Sequence, residues 1–535
     1  MWKNKNKKAG LAPFTAMLCV ALLGAFISGS CSSARSRPMP LGQPSPEASP
    51  KMAEEMEISG APPPSSPAPS VAASASKSVA RQDSSASNSE SYNSIVENTF
   101  KTASQDSIST FAADVDTASY SNVRRFLRDQ ALPPVDAVRI EELINYFDYG
   151  WKEPSSGSAP IAVTSEVASS PWNPEARLLA IGLRTRSISA ENLPPANLVF
   201  LIDSSGSMSD PDKLPLVKRA FSILAETMRP QDRVAIVTYA GSAGLVLPST
   251  TGSEKGRILE ALERLDAGGS TAGGAGIILA YQTALQNFRK GGNNRVILAT
   301  DGDFNVGASS GADLDKLITS YRSKGVFLSV MGFGTGNLKD SSMETLADKG
   351  NGNFSYIDSI GEARRVLVEE MGATLLVVAK DVKIQVEFDP KVVKSWRLVG
   401  YENRLLAAAD FANDAKDAGE MGAGHRVTAL YEIVGNDAAS SDLGTVRVRY
   451  KKPDQDQSVL LEFPVADNGQ KYTDASTDFR FAGAVAMYGM LLRSSTFAGS
   501  STWQLALDLA RGAAGKSDRR AEFIGLVEAA SKLKR

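Results

Sequence analysis

Between residue 196 and about 372 the chain alternates short, nearly unbroken apolar runs with longer amphipathic stretches. The runs are Leu198-Val199-Phe200-Leu201-Ile202, Val234-Ala235-Ile236-Val237, Val296-Ile297-Leu298-Ala299 and Val326-Phe327-Leu328-Ser329-Val330-Met331. A strand that is apolar on both faces belongs to a parallel sheet covered on both sides. The stretches between them, 216–228, 256–265, 277–288 and 314–324, carry apolar residues at helical spacing. This alternation predicts a doubly wound (Rossmann-like) α/β domain with a parallel sheet over 195–372.

The period changes outside that segment. Val382, Ile384, Val386 and Phe388 alternate with Lys383, Gln385 and Glu387. Val427, Ala429, Tyr431 and Ile433 repeat the theme, as do Val446, Val448 and Tyr450. Period-2 alternation predicts antiparallel sheet with one wet face. On the other flank, Ile161, Val163 and Val167, then Leu179, Ile181 and Leu183, also read as strands. Strands on both flanks predict one β-sandwich-like unit with the α/β domain inserted into it. Residues 94 to about 151 read as helical, interrupted at Pro133-Pro134. The end of the chain reads as three helices, 479–492, 503–510 and 521–533.

The N-terminus adds a different signal. Lys3, Lys5, Lys7 and Lys8 precede an uncharged apolar stretch, Leu11 to Ile27, followed by Ser28, Gly29, Ser30 and Cys31. A basic region, an apolar region and small residues form a secretory signal. The apolar stretch is at the short limit for a membrane span, where about 20 residues are usual. Cys19 leaves with the signal, so Cys31 is the one cysteine of the exported chain. The segment Ile27-Ser28-Gly29-Ser30-Cys31 resembles a bacterial lipobox, with Ser28 where an aliphatic residue is usual. The resemblance implies lipidation of Cys31. Ser32, in place of an aspartate, points to the outer membrane. Residues 32–93 are rich in Ser, Ala and Pro. Such a segment buries too little apolar surface to order itself and reads as a tether. The expected regions are a lipoprotein signal peptide (1–31), the tether (32–93), an N-terminal helical and strand flanking region (94–194), the α/β domain (195–372), a β-rich domain (373–470) and a C-terminal helical region (471–535).

Composition narrows the partners. The formal net charge is -2 over 535 residues. No basic excess marks a nucleic-acid surface.

The chemistry concentrates at strand ends. Asp203-Ser204-Ser205-Gly206-Ser207 follows the first apolar run, and Thr300-Asp301 follows the third. Gly268-Gly269-Ser270-Thr271 forms a small-residue loop between them. In open α/β sheets, ligands bind at the carboxyl ends of the strands. Asp203, Ser205, Ser207, Thr271 and Asp301 offer two carboxylates and three hydroxyls, with no thiolate or imidazole. Hard oxygen donors select Mg²⁺ (or Mn²⁺/Ca²⁺) over zinc or copper. Only two of these donors are charged, and five donors leave an open coordination position that an incoming carboxylate could fill.

These five positions match the metal-ion-dependent adhesion site, or MIDAS, of von Willebrand factor A (VWA) domains. The resemblance implies that Ser205, Ser207 and Thr271 contact the metal, and that Asp203 and Asp301 act directly or through water. It also implies that an Asp or Glu of a partner protein completes the sphere. Asp114-Val115-Asp116-Thr117-Ala118-Ser119-Tyr120, the run from Pro133 to Glu142 and the C-terminal region resemble bacterial A-domain lipoproteins.

Other motifs fall away. Asp301-x-Asp303-x-Asn305 begins like a calcium loop, but Val306 and Ala312 stand where an EF-hand needs Gly and Glu. Gly307-Ala308-Ser309-Ser310-Gly311 lacks the strand–turn–helix setting of a nucleophile elbow, and His425 is the one histidine. The Gly268–Gly273 spacing lacks the lysine of a phosphate loop, so no nucleotide is expected. The expectation is a non-enzymatic, lipid-anchored protein of the bacterial cell envelope that grips a protein partner through a divalent metal. The alternatives are a metal-dependent envelope hydrolase and a scaffold with a structural A domain.

Overall fold

The computed structural model describes residues 89–534, apart from 156, 158, 271–272, 303, 305–310, 371–375, 417 and 437–439. Cys31, the signal and most of the tether lie outside the described residues, as do Thr271, Asp303 and Asn305. Among the described residues no helix is long and apolar enough to cross a membrane.

The first part of the fold holds strands β1 (Lys101–Thr102) and β2 (Ile108–Ala112), helices α1 (Ala118–Arg128) and α2 (Ile140–Asn145), and the hairpin β3 (Ile161–Ser169) and β4 (Ala176–Thr185). The A domain follows as β5 (Ala196–Asp203), α3 (Leu214–Thr227), β6 (Arg233–Tyr239), β7 (Ala243–Thr251), α4 (Lys255–Glu263), α5 (Gly273–Gln286), β8 (Asn293–Thr300), α6 (Gly311–Arg322), β9 (Val326–Phe333), α7 (Asp340–Lys349), β10 (Phe354–Ile357) and α8 (Ile360–Arg364). The last part holds β11 (Val377–Phe388), β12 (Val393–Val399), β13 (Gly419–Gly422), β14 (Arg426–Gly435), β15 (Asp442–Lys451), β16 (Ser458–Ala466), α9 (Thr477–Arg493), α10 (Trp503–Ala513) and α11 (Asp518–Leu533).

The A-domain sheet runs β10-β9-β8-β5-β6-β7, parallel except for β7 at the edge. All eight residues of β5 are buried, and alternate ones serve two cores. Leu198, Phe200 and Ile202 pack with α3, α4 and α8, while Val199 and Leu201 pack with α5, α6 and α7. That two-sided burial is why the strand reads as an unbroken apolar run. Helices on both faces make the sheet doubly wound, as expected from the sequence.

The flanking strands form two antiparallel sheets. One runs β1-β12-β14-β4-β3 and the other β13-β11-β15-β16, with β2 also paired to β11. Both therefore mix strands from before and after the A domain. Leu179 and Ile181 of β4, Tyr431 and Ile433 of β14, Ile384 and Val386 of β11, and Val446 and Val448 of β15 share one core. The A domain is thus inserted into a single sandwich. The other face of β4, through Leu178 and Ala180, packs with α1, α2 and α9–α11. Helix α9 is buried nearly all round, as a helix covered on every side must be apolar on every side.

Two sequence expectations need correction. The helical reading of 94–151 holds for α1 and α2 but misses β1 and β2. The sequence Ile108-Ser109-Thr110-Phe111-Ala112 extends because it zips to β11, Ile384 opposite Phe111. Ser89 to Ser91, assigned to the tether, are fastened to the A domain by Ser89 N donating to Gly336 O at 2.8 Å and Ser91 N to Leu338 O at 3.0 Å. Arg447 and Lys451 lie on β15, an interior strand of its sheet. Arg447 pairs with Glu387 and with Glu462 (2.8 Å), and Lys451 with Asp381 (2.6 Å).

Candidate metal centre

Strand order reverses between β5 and β8, and Asp203 and Asp301 stand at the carboxyl ends of these two neighbours. Neither carboxylate is exposed. Asp203 Oδ1 accepts from the Ser205 backbone N–H at 2.9 Å, which folds the chain back as soon as the strand ends. Its Oδ2 accepts from Thr300 Oγ1 at 3.3 Å. The turn brings Ser205 Oγ and Ser207 Oγ within 3.0 Å of each other. Two hydroxyls that close share one proton between them and leave oxygen lone pairs for a cation.

The small-residue loop is zipped to the same turn. Gly268 N donates to Ser204 O at 2.8 Å, and Gly206 N to Gly269 O at 3.1 Å. Thr271, the fifth predicted ligand, lies outside the described residues, two positions beyond this clasp. Asp301 is followed by Gly302, whose φ is +119°. A Cβ there would stand 2.2 Å from Asn337 O, so only glycine lets the β8 loop lie against the β9 loop.

Asp301 has a partner that the sequence did not announce. Lys213, at the N-terminus of α3, puts Nζ 3.0 Å from Asp301 Oδ2 while remaining 4% exposed. Asn337 Nδ2 donates to the same oxygen at 3.3 Å. The lysine stem passes over Gly334, where a Cβ would fall 2.3 Å from Lys213 Cγ. Nothing local marks Lys213, since a lysine before a helix is usually a solvated residue.

The electrostatics are unequal. Burial, with Asp301 nearby, pushes the Asp203 carboxyl above its ordinary value, against the pull of the Ser205 hydrogen bonds. The described groups are the Asp203 and Asp301 carboxylates, two paired hydroxyls, and the Lys213 ammonium, which also has Asp210 Oδ2 at 3.7 Å, so carboxylates outnumber the ammonium. This set fits a hard divalent cation that replaces or shares the lysine's place at Asp301. Asp203, Ser205, Ser207 and Asp301 would hold it, and it would supply positive charge towards Gly206 and Ser270, which are exposed.

His425 and Asp116 lie elsewhere. Burial pushes the His425 imidazole down to about 4; it precedes β14, in the sandwich. Asp116 binds the Phe354 backbone N–H at 2.9 Å and Arg404 at 3.2 Å.

Comparison with known proteins matches each part. Residues 197–368 match the von Willebrand factor type A domain, 86–180 match a von Willebrand factor profile, and 373–533 match the profile "Uncharacterized protein YfbK, C-terminal". The uncharacterized protein YfbK of Escherichia coli is 44% identical over 466 residues, covering 82% of this chain and 80% of YfbK. An uncharacterized protein of Synechocystis sp. is 25% identical over 300 residues, covering 54% of this chain and 69% of that protein. Among solved structures, a von Willebrand factor type A protein from Catenulispora acidiphila is 17% identical, with a TM-score of 0.41, and covers 70% of this chain and 90% of its own.

Proposed function

The chain belongs to the family of the uncharacterized bacterial protein YfbK and carries a von Willebrand factor A domain; from that premise we propose that it is a cell-envelope binding protein. A divalent metal, Mg²⁺ (or Mn²⁺/Ca²⁺), bound by Asp203, Ser205, Ser207, Thr271 and Asp301, takes an Asp or Glu side chain of a protein partner as its last ligand. The observation that carries this reading is the Ser205–Ser207 hydroxyl pair, 3.0 Å apart beside the buried Asp203, at an exposed loop edge. The secretory signal and Cys31 support a lipid anchor, with the outer membrane as its place.

The test is a capture from envelope extract with the detergent-solubilised full chain as bait, run with Mg²⁺, with chelator, and as Asp203→Ala. A protein held by wild type with Mg²⁺ and lost in the other two lanes supports the reading. Identical capture in all three lanes sinks it.

The Lys213–Asp301 pair favours a second reading, an A domain whose ion site is satisfied internally and serves only the fold. Calorimetry separates the two. A scaffold takes up no Mg²⁺, whereas a binding module takes up one ion per chain and loses it in Asp203→Ala.

A further inference from the structure

Away from the metal edge, at the seam between the A domain and the rest of the molecule, carboxylates outnumber their counterions. Arg404, after β12, faces four of them: Asp348 at 2.7 Å, Glu344 at 2.8 Å, Asp116 at 3.2 Å and Asp114 at 3.8 Å. Arg139 serves Glu142 and Asp340, the latter at 2.5 Å. Arg493 serves Glu402 at 3.2 Å and Glu97 at 3.8 Å. Among the described residues, no cation pairs with Glu141. It is 2% exposed, and its Oε2 has no hydrogen-bond partner. A buried, unpaired carboxylate is costly, so such groups neutralise themselves or hold a counterion.

The deficit borders a cavity of about 570 Å³. Glu141, Glu402, Glu344 and Asp348 line it with Arg139 and Arg404, four carboxylates to two guanidiniums, and Ile95 and Val96 close one side. Val96 is 83% exposed at its lip, an apolar residue left in water. Among the described residues, no three His, Cys, Asp or Glu side chains converge closely enough to hold a metal ion. The negative charge is instead spread around a space large enough for an extended molecule with one apolar wall. Protons make up part of the missing charge. Burial, with Glu402 and Glu142 beside it, pushes Glu141 up to about 8. Burial likewise pushes Glu344 up to about 7, against the pull of Arg139 and Arg404.

We propose that this cavity binds an alkylammonium or guanidinium cation, its charged head among Glu141, Glu402 and Glu344 and its methylenes along Ile95 and Val96. A cationic head supplies the charge the arginines leave short, and a methylene stem covers the exposed apolar wall. The ligand is a free polyamine or a basic side chain of a bound peptide, which offer the same chemistry. The site shares no residue with the metal centre and does not rest on it.

The test is calorimetric titration of the full chain in detergent, with chelator present so that the metal centre is empty. One arm uses spermidine and the other a Gly-Arg-Gly tripeptide. The expected result is saturable binding of one cation per chain with protons released near neutral pH, read from buffers of different ionisation heat. Glu141→Gln and Glu402→Gln each weaken it about tenfold or more, and Asp203→Ala binds as wild type does. Binding of spermidine alone assigns a free polyamine; binding of the tripeptide assigns a partner's basic side chain. If Glu141→Gln fails to fold, Glu402→Gln, in the loop after β12, decides. Absence of saturable binding in both arms, or equal affinity of wild type and the folded glutamine variants, overturns the proposal.

Discussion

Glu362 and Asp203 are both buried carboxylates of the A domain, and the protein surrounds them in opposite ways. Glu362 lies between two guanidiniums, Arg124 Nη2 at 2.7 Å and Arg365 Nη2 at 2.6 Å, and takes the Tyr146 hydroxyl at 2.8 Å. Burial alone would raise its carboxyl, but the two arginines outweigh burial and hold it down at about 2. Asp203 has a backbone N–H and a hydroxyl for company, no cation, and a raised carboxyl. The first arrangement is a closed circuit that rivets α8 to α1, and through Arg124 Nη1 and Glu522 (2.9 Å) to α11. The second keeps negative charge unspent at a sheet edge. A buried charge that is fully paired fixes the fold, whereas one left short of its counterion is available to a ligand.

The rivet gives the largest expected effect. Arg124→Met leaves Glu362 with Arg365 alone and Asp358 with Arg128 alone, and about 3–5 kcal/mol of stability should disappear. Urea unfolding reads this directly; a loss below about 1 kcal/mol would show that the cluster is not a rivet. The pH dependence comes next. Glu362 titrates at about 2 in the fold against 4.5 as its ordinary value, so its stabilising contribution is complete above about 4.5 and is lost as pH falls through 2. The linked loss is about 3 kcal/mol, and it should be absent from Glu362→Gln when unfolding is followed across that window.

Asp203→Asn is expected to behave in the opposite sense. It removes an uncompensated buried charge, so in chelator the melting temperature should hold or rise, while Mg²⁺ affinity falls by about a hundredfold, or about 2.7 kcal/mol. A fall in melting temperature comparable to that of Arg124→Met would erase the contrast between the two carboxylates. The smallest effect belongs to Lys213→Met. Removing the ammonium at Asp301 should tighten Mg²⁺ binding about tenfold by calorimetry. Weaker binding would mean that Lys213 positions Asp301 for the metal instead of competing for it.

Much of the A domain was legible along the chain because its information is local. The strands β5, β6, β8 and β9 are apolar on both faces, and Asp203, Ser205, Ser207 and Asp301 follow β5 and β8 directly. The edge strand β7 escaped because Leu245 and Val246 are exposed and the segment keeps no clean period. Residues 101–112 escaped for a different reason. Their extended form is imposed by pairing with β11 and β12, nearly 300 positions away in sequence.

What the sequence determined by itself was a set of elements and the short motifs riding on their ends, since periodicity and turn chemistry act over a few residues. What the tertiary structure alone decided was which distant groups meet. It joined strands from both sides of the A domain into one sandwich, brought Lys213 to Asp301, and set Glu141, Glu344 and Glu402 around one cavity. Charge compensation acts through space, at separations of a few ångströms. The linear order of residues carries no record of which charges will be neighbours once the chain has folded.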